Sequence, residues 1–373
     1  MKKFASSKVP FIDLSLQYKK IQPEINLALR TIFAGQKFVL GAYGHLLEEK
    51  ISKKTGAKFA IGLGNGSDAL YLALLALGIE PGDEVITTSF SFFATAGAIS
   101  RAGAVPVFVD IDPETFNLDP SKIEAKISKK TRAILPVHLF GLPCDMTAIL
   151  QTASRYSIPV VEDAAQSFGA LYRGRQTGSI GHIGCFSFYP TKNLGGAGDG
   201  GMVVTSSTRL AEKIKLLRNH GMRDQYRHKI IGINSRLDEI QAAVILIKLK
   251  WIDRWNSLRA NQAQRYEKGL RGLPLKLPMT PLGSKHSYHL YSVVTEQRDF
   301  LKRFLMERGI GCGVYYPVPL HLQACYQSLG YKRGDLPVSE EMSEKVLSLP
   351  MFAGMTAGQS ASVIRAVTEF FTQ

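Results

Sequence analysis

Short apolar runs alternate with amphipathic ones along most of this chain. Phe59–Gly62, Glu84–Thr88, Val105–Val109, Ala133–Val137, Pro159–Glu162, Gly184–Phe188 and Met202–Thr205 are mostly apolar and flanked by Gly, Pro or Asp, which predicts strands. Between them, Ser67–Leu77, Phe92–Arg101, Ser121–Lys126, Met146–Tyr156 and Thr208–Asn219 carry helical patterns. Alternation at this spacing predicts an α/β fold, with a mostly parallel sheet covered by helices on both faces. Within Ser235–Trp251, Leu237, Ile240, Val244 and Ile247 recur at helical spacing, and Ser235 with Asp238 resembles a capping signal. This helix is expected to continue through the 250s as a long connector. From Gly269 to Gly283 the texture turns to Gly, Pro and short apolar runs, and 284–373 reads as a smaller α+β unit. The expected division is therefore 1–250 for a large domain and 251–373 for the connector and a small one.

Composition narrows the class. A length of 373 residues suits one large domain plus a smaller one, and 45% hydrophobic with 21% charged residues is ordinary for a soluble globular enzyme. No apolar stretch is long enough to cross a bilayer. The opening MKKFASSKVPFIDL lacks the apolar run of a signal peptide, so a cytoplasmic location is expected. Cys144, Cys185, Cys312 and Cys325 form no C-x-x-C pair, which argues against a disulfide framework or a zinc site. The net charge of +15 invites an anionic partner. Its densest cluster, Arg218 to Lys229, also holds His220, Asp224 and His228, and no basic helix with interleaved aromatics is present. A solvated basic surface, with a few cations available to a diphosphate, fits better than a nucleic-acid partner.

Three segments carry candidate chemistry. Gly62-Leu63-Gly64-Asn65-Gly66-Ser67-Asp68-Ala69 follows a strand and opens a helix. Ser67 can cap that helix, and its free N–H groups favour a phosphate. The G-x-G-x-G spacing is not that of a dinucleotide site, which weakens a nicotinamide dehydrogenase, and a plain strand-to-helix turn stays open. In Val160-Val161-Glu162-Asp163-Ala164-Ala165-Gln166-Ser167 a strand ends in acids, where parallel sheets bind ligands. Asp163 can bond a protonated ring nitrogen and Gln166 another edge of the same ring; equally, Asp163 can cap a helix from Ala164. In Cys185-Phe186-Ser187-Phe188-Tyr189-Pro190-Thr191-Lys192-Asn193-Leu194-Gly195 a strand runs into a lysine-bearing loop, followed by Gly196-Ala197-Gly198-Asp199-Gly200-Gly201. Ser187 and Tyr189 share a strand face. A lone lysine is nearly always a solvated charge, yet Lys192 could form a Schiff base with an aldehyde. The order of phosphate loop, acid and lysine, each at a strand end, raises that second reading.

These segments, with Asn234-Ser235-Arg236-Leu237-Asp238-Glu239-Ile240-Gln241-Ala242-Ala243, resemble the DegT/DnrJ/EryC1/StrS family of sugar aminotransferases. The resemblance runs from Pro10-Phe11-Ile12-Asp13-Leu14 to about Met351. It implies an aspartate-aminotransferase-like fold, pyridoxal 5′-phosphate as cofactor, and a homodimer with shared active sites. Position by position it implies that Lys192 holds the cofactor and that Asp163 pairs with its ring nitrogen. Gln166 would lie near the phenolic oxygen and Phe92 would stack on the ring. Gly66, Ser67 and Ser187 would hold the phosphate, with Asn234 from the neighbouring subunit. Arg236 of the neighbour, Tyr189, Tyr315 and Tyr316 fall on the substrate side. Tyr315 stands where a histidine is common, and Lys192 is present where dehydratase relatives carry histidine. The implied activity is transfer of an amino group, with glutamate as donor, to a keto sugar of a nucleotide diphosphate, favouring position 3 of a 3-keto-6-deoxyhexose. The implied context is amino-sugar synthesis for glycosides or surface polysaccharide such as lipopolysaccharide. A 4-keto sugar, a 3-keto uronic acid and a non-catalytic regulatory relative remain alternatives.

Overall fold

A computed structural model describes residues 9–372, so the opening lysines read above for a leader lie outside the described residues. Two helices that the strand–helix alternation does not announce precede the first strand. Helix α1 (Ser15–Gly35) buries Ile21, Ile25, Ala28 and Ile32, one stripe at helical spacing, and leaves Leu16, Leu27 and Phe33 exposed. Helix α2 (Ala42–Thr55) begins at Gly41 without a side-chain cap of its own and ends at Gly56 in the left-handed region.

The large sheet follows, built from β1 (Phe59–Leu63), β2 (Glu84–Thr88), β3 (Val105–Val109), β4 (Thr131–Leu135), β5 (Val161–Asp163), β6 (Ile183–Ser187) and β7 (Gly201–Thr205). The spatial order is β3-β2-β4-β5-β6-β7-β1, with β4 joined to β5 by the parallel bridges Ile134–Val160 and Val137–Asp163. The run from β3 to β6 is parallel, while β7 is antiparallel to both β6 and β1. The sheet is thus mostly parallel with one reversed strand. That strand follows β6 through the glycine-rich loop 188–200, which contains no helix to carry a parallel crossover and returns the chain in the opposite sense.

Helices α3 (Gly66–Leu77), α4 (Ala94–Arg101), α5 (Met146–Arg155) and α6 (Thr208–Leu217) connect these strands. Asp145 caps α5 by accepting from the Ala148 N–H, and Ser207 caps α6 through the Leu210 N–H, each such cap contributing about 1 kcal/mol. Helix α3 buries residues all round, wedged between the sheet and its neighbours α4 and α6. The stretch 121–126, expected as a helix, is two 3₁₀ turns instead.

The connector is broken. Helix α7 (Glu239–Leu249) and helix α8 (Ile252–Leu270) are separate, and Ser235 caps neither. Its hydroxyl accepts from the Gly64 N–H at 3.1 Å, so the capping expectation fails because the phosphate-type loop claims that oxygen. Beyond α8, strands β8 (Tyr291–Val294) and β9 (Val346–Leu349) pair antiparallel, with α9 (Arg298–Glu307) and α11 (Ala357–Thr372) packed beside them and α10 (Pro337–Lys345) leading into β9. Leu301, Leu305, Leu347, Val363 and Val367 form their own core there, to which α8 adds Ala263, Tyr266 and Leu270.

Candidate active site

The expected site residues sit at the carboxyl ends of β5 and β6 and at the start of α3. Asp163 is the last residue of β5, and its Oδ2 accepts from the Thr95 hydroxyl at 2.8 Å while Oδ1 accepts from the Ala165 N–H at 3.1 Å. Residues 164–169 form turns, not a helix, so Asp163 caps no helix. Burial raises its pKa; the bonds from Thr95 and Ala165, and the charge of Lys192, pull it back only in part. The neighbouring Glu162 faces the other way. It is fully buried, takes the N–H groups of Gly178, Ile180 and Gly181, and meets His138 Nε2 at 2.8 Å. Because His138 Nδ1 accepts from the Cys144 N–H, Nε2 carries the hydrogen donated to Glu162. One of the two acids thus fixes a loop and the other is left for chemistry.

Lys192 lies in the loop after β6, half-buried, and its side-chain amine makes no hydrogen bond or ion pair with the described residues. Desolvation lowers its pKa from 10.5 to about 8, and Asp163 opposes that fall. An amine near neutrality at physiological pH is a nucleophile, which a solvated lysine is not. His289 also feels Lys192. It is buried, its Nδ1 has no partner, and burial foremost, then the charges of Lys192 and Arg259, hold it neutral.

A phosphate-sized cradle is formed where α3 starts. Asn65, not Ser67, caps this helix by accepting from the Asp68 N–H at 2.8 Å. That leaves the exposed Ser67 hydroxyl and the Gly66 and Ser67 N–H groups without an acceptor among the described residues. Gly66 abuts Ser187 at the end of β6, where a Cβ on Gly66 would lie 2.6 Å from the Ser187 Cβ. Two N–H groups at a helix start, with two hydroxyls, make an anion site.

The aromatic residues lie around the same cleft. Gln166 is buried; its Oε1 accepts from the Phe140 N–H at 2.7 Å and its Nε2 donates to the Tyr316 hydroxyl at 3.0 Å. Phe92, in the loop between β2 and α4, is 58% exposed, and its ring is 6.3 Å from that of Tyr316. Tyr315 stacks on Phe11 at 5.7 Å, and Tyr189, half exposed, is near enough for its charge to add to the burial that raises the Tyr315 phenol. Asn234 and Arg236 flank Ser235, whose hydroxyl accepts from the Gly64 N–H beside the cradle. Asn234 is exposed and bridges to Asn219, whose Oδ1 also accepts from Arg236 at 2.9 Å. Asn193 falls inside the lysine motif without a role of its own being read there, and Thr95 and His289 lie near the site without having been singled out from the sequence. Only the small hydroxyl at the start of the helix after Phe92 offers a signal, and it is weak.

Pyridoxal phosphate fits these residues: the cradle takes a phosphate, Phe92 offers a face, Asp163 a carboxylate and Lys192 an amine. Fold and site together define an aminotransferase that uses pyridoxal 5′-phosphate. The chain belongs to the DegT/DnrJ/EryC1/StrS aminotransferase family, whose profile matches residues 19–368. It is 49% identical to a pleiotropic regulatory protein of Geobacillus stearothermophilus, over 97% of this chain and 98% of that one. It is 42% identical to the UDP-N-acetyl-3-dehydro-α-D-glucosamine 3-aminotransferase of Acidithiobacillus ferrooxidans, over 96% and 97%. Its fold superposes on Streptomyces venezuelae DesV in complex with a ketimine intermediate with a TM-score of 0.96 and 43% identity, covering 98% of this chain and 99% of that one. No helix of the described residues is long and apolar enough to cross a membrane, and no cluster of metal-ligating side chains occurs among them.

Proposed function

We propose that this enzyme moves an amino group from glutamate to carbon 3 of a keto sugar carried by a nucleotide diphosphate, for amino-sugar synthesis in glycosides or surface polysaccharide. The observation that carries the reading is the depressed amine of Lys192 in the field of the buried Asp163 carboxylate, beside an anion cradle. The Acidithiobacillus relative, named for a 3-dehydro sugar, supports position 3. Bound cofactor supplies an aldehyde that accepts amines and a ring that takes up an electron pair. Lys192 Nζ then holds the cofactor and, once released, carries a proton from one carbon to the next. Asp163 keeps a proton on the ring nitrogen, since a carboxylate beside a cation favours the charged form. Gly66, Ser67 and Ser187 hold the phosphate, Phe92 covers one ring face and Gln166 takes the oxygen edge.

Tyr189, Tyr315 and Tyr316 line the substrate side. Asn234 is exposed and Arg236 half-buried, and neither bonds to Lys192 or Asp163, which suits a homodimer in which each serves the neighbour's site; the exposed Leu16, Leu27 and Phe33 of α1 supply apolar surface for such a contact. The enzyme works in the cytoplasm, where nucleotide sugars and reduced thiols coexist.

The regulatory reading has one observation in its favour, the name of the Geobacillus relative. One experiment separates the two. Incubation of the purified protein with glutamate and a panel of 3-keto and 4-keto nucleotide sugars, with products identified by NMR, yields 2-oxoglutarate and a 3-amino sugar. Absence of turnover on every sugar, with cofactor bound, sinks the catalytic reading in favour of the regulatory one.

A further inference from the structure

Lys192 stands on a loop with few bonds of its own. Its N–H reaches Tyr189 O at 2.9 Å, the Gly196 N–H reaches Phe188 O at 2.7 Å, and from α7 Gln241 Oε1 takes the Ala197 N–H at 2.8 Å and Lys248 Nζ donates to Gly195 O at 2.7 Å. A lysine side chain has four rotatable bonds, so its amine is placed only as well as the backbone that carries it. Proton transfer tolerates errors of well under about 1 Å. Something must therefore hold this loop against the opposite wall of the cleft.

The next residue supplies a tie. Asn193 is buried, and its Nδ2 donates to Asn256 Oδ1 at 2.8 Å and to the Ser287 carbonyl at 2.7 Å. Asn256 comes from α8 and is also buried; its own Nδ2 donates to the Phe168 carbonyl at 3.0 Å. The direction of the chain is fixed. Both outer acceptors are backbone carbonyls, which cannot donate, so both amides must point their NH₂ groups outward along the series. Phe168 lies two residues after Gln166, in the turn that begins at Asp163. Gly169 beside it has φ +86°, and a Cβ there would strike Asn256 Nδ2. Ser287 closes the ring of contacts. Its N–H donates to Gly141 O at 2.9 Å, and its hydroxyl lies at 3.3 and 3.4 Å from the carbonyls of Gly141 and Gln166.

We propose that Asn256 is a positioning residue for Lys192, tying the lysine loop to the turn that carries Asp163 and Gln166 so that amine and carboxylate keep a fixed separation. The inference rests on the reading of Lys192 as the lysine that holds the cofactor. Asn256 touches neither cofactor nor substrate in this role. Its two hydrogen bonds leave the two walls no independent freedom, and a buried amide pair loses this property when either partner faces a like dipole.

The test uses Asn256→Asp, which keeps the acceptor for Asn193 but sets a carboxylate oxygen against the Phe168 carbonyl. Asn193→Ser, cutting the tie from its other end, keeps the question open should Asn256→Asp fold poorly. Hydrogen exchange is followed by mass spectrometry on the cofactor-free and loaded full chain, and the half-reaction with glutamate is followed by absorbance. Exchange is expected to rise about tenfold or more in both the 189–198 and the 164–170 peptides, with α8 outside its own turn unchanged. The maximal half-reaction rate is expected to fall at least about tenfold, with half-saturating glutamate within about threefold. Unchanged exchange in either peptide, or an unchanged rate, overturns the proposal. A helix-packing role alone would loosen α8 and spare the rate. The Lys192→Ala variant separates the two failures. If it retains the visible band of bound cofactor, the lysine reading itself falls; if it loses the band while Asn256→Asp behaves as wild type, only the positioning role falls.

Discussion

The Thr95 hydroxyl donates to Asp163 Oδ2 across 2.8 Å of a fully buried site, joining the helix after Phe92 to the end of β5. This bond favours the carboxylate over the neutral acid, against burial, which favours the acid. Thr95→Val keeps the shape and removes the donor. The Asp163 pKa rises further, so a proton shared with the ring nitrogen shifts toward the carboxylate, the ring holds less positive charge, and kcat falls by about tenfold. Asp163→Asn removes the charge altogether, and kcat falls by about a hundredfold or more. Steady-state kinetics with the cofactor saturating check both, and a Thr95→Val enzyme as active as wild type would show that the hydroxyl is incidental.

Lys192 sets a second expectation, with a definite sign. Its folded-state pKa, about 8, lies below the ordinary 10.5. Between those values the unfolded chain binds more protons than the folded one, so stability rises as pH rises from about 8 to 10.5. Lys192→Met removes the buried amine. The cofactor-free variant should melt higher than wild type at pH 7, and the difference should narrow as pH climbs toward 10.5. Calorimetry of both proteins across that range checks it; a constant difference would mean that the amine is not desolvated. In Asp163→Asn, the group that holds the Lys192 pKa up is gone, and labelling of the amine by acetic anhydride should reach half-maximum at a lower pH than in wild type.

Much of this was legible in the residues, and the exceptions share a cause. Glu84–Thr88 and Val105–Val109 fall where the pattern places them, since apolar runs of five between Gly, Pro or Asp have few alternatives. The expected strand at 133–137 begins two residues earlier, because Thr131 pairs with Glu84 of β2 despite its polarity, with Arg132 bulged out of the register between Thr131 and Ala133. The reversed strand β7 is not announced by composition; its sense depends on how the helix-free loop 188–200 folds back. Ser67 and Ser235 each look like caps, and each loses that role to a contact from elsewhere: Asn65 takes the α3 cap, and Gly64 takes the Ser235 hydroxyl. The lysine, the acid and the phosphate loop were readable because each sits inside one motif. Thr95, Asn256 and His289 were not, because their partners lie tens of residues away and only folding brings them together.

The cradle gives a third prediction. A Cβ at Gly66 would sit 2.6 Å from that of Ser187, closer than side chains approach, and both neighbours are backbone-anchored at the end of a strand and the start of a helix. Gly66→Ala therefore shifts the helix start away from Ser187 and breaks the anion site without touching Lys192. Affinity for pyridoxal phosphate should fall by about tenfold or more while affinity for cofactor lacking the phosphate, pyridoxal, changes by less than about twofold. Equilibrium titrations by absorbance read both constants. Equal losses for the two ligands would mean that the glycine serves folding and not the phosphate.

Glu239, the first residue of α7, is buried and accepts from the N–H groups of Gly41, Tyr43 and Gly44 at 2.9 Å each. It does for α2 what no residue of α2 does for itself: helix starts leave N–H groups unpaired, and a negative charge there also meets the favourable end of the helix dipole. Gly41 and Gly44 are glycines because the carboxylate comes so close; a Cβ on either would lie 2.7 and 2.8 Å from it. Glu239→Ala strands three donors in a buried place. The cost is about 3 kcal/mol of unfolding free energy, read as a lower urea midpoint at unchanged slope. Glu239→Gln retains one acceptor oxygen and gives up the charge, so its midpoint should fall between those of Glu239→Ala and wild type. The catalytic constants of refolded Glu239→Gln, measured well below its midpoint, should stay within about twofold of wild type, since α2 touches neither Lys192 nor Asp163. A Glu239→Ala midpoint equal to that of wild type would mean that water reaches the start of α2 and satisfies it unaided.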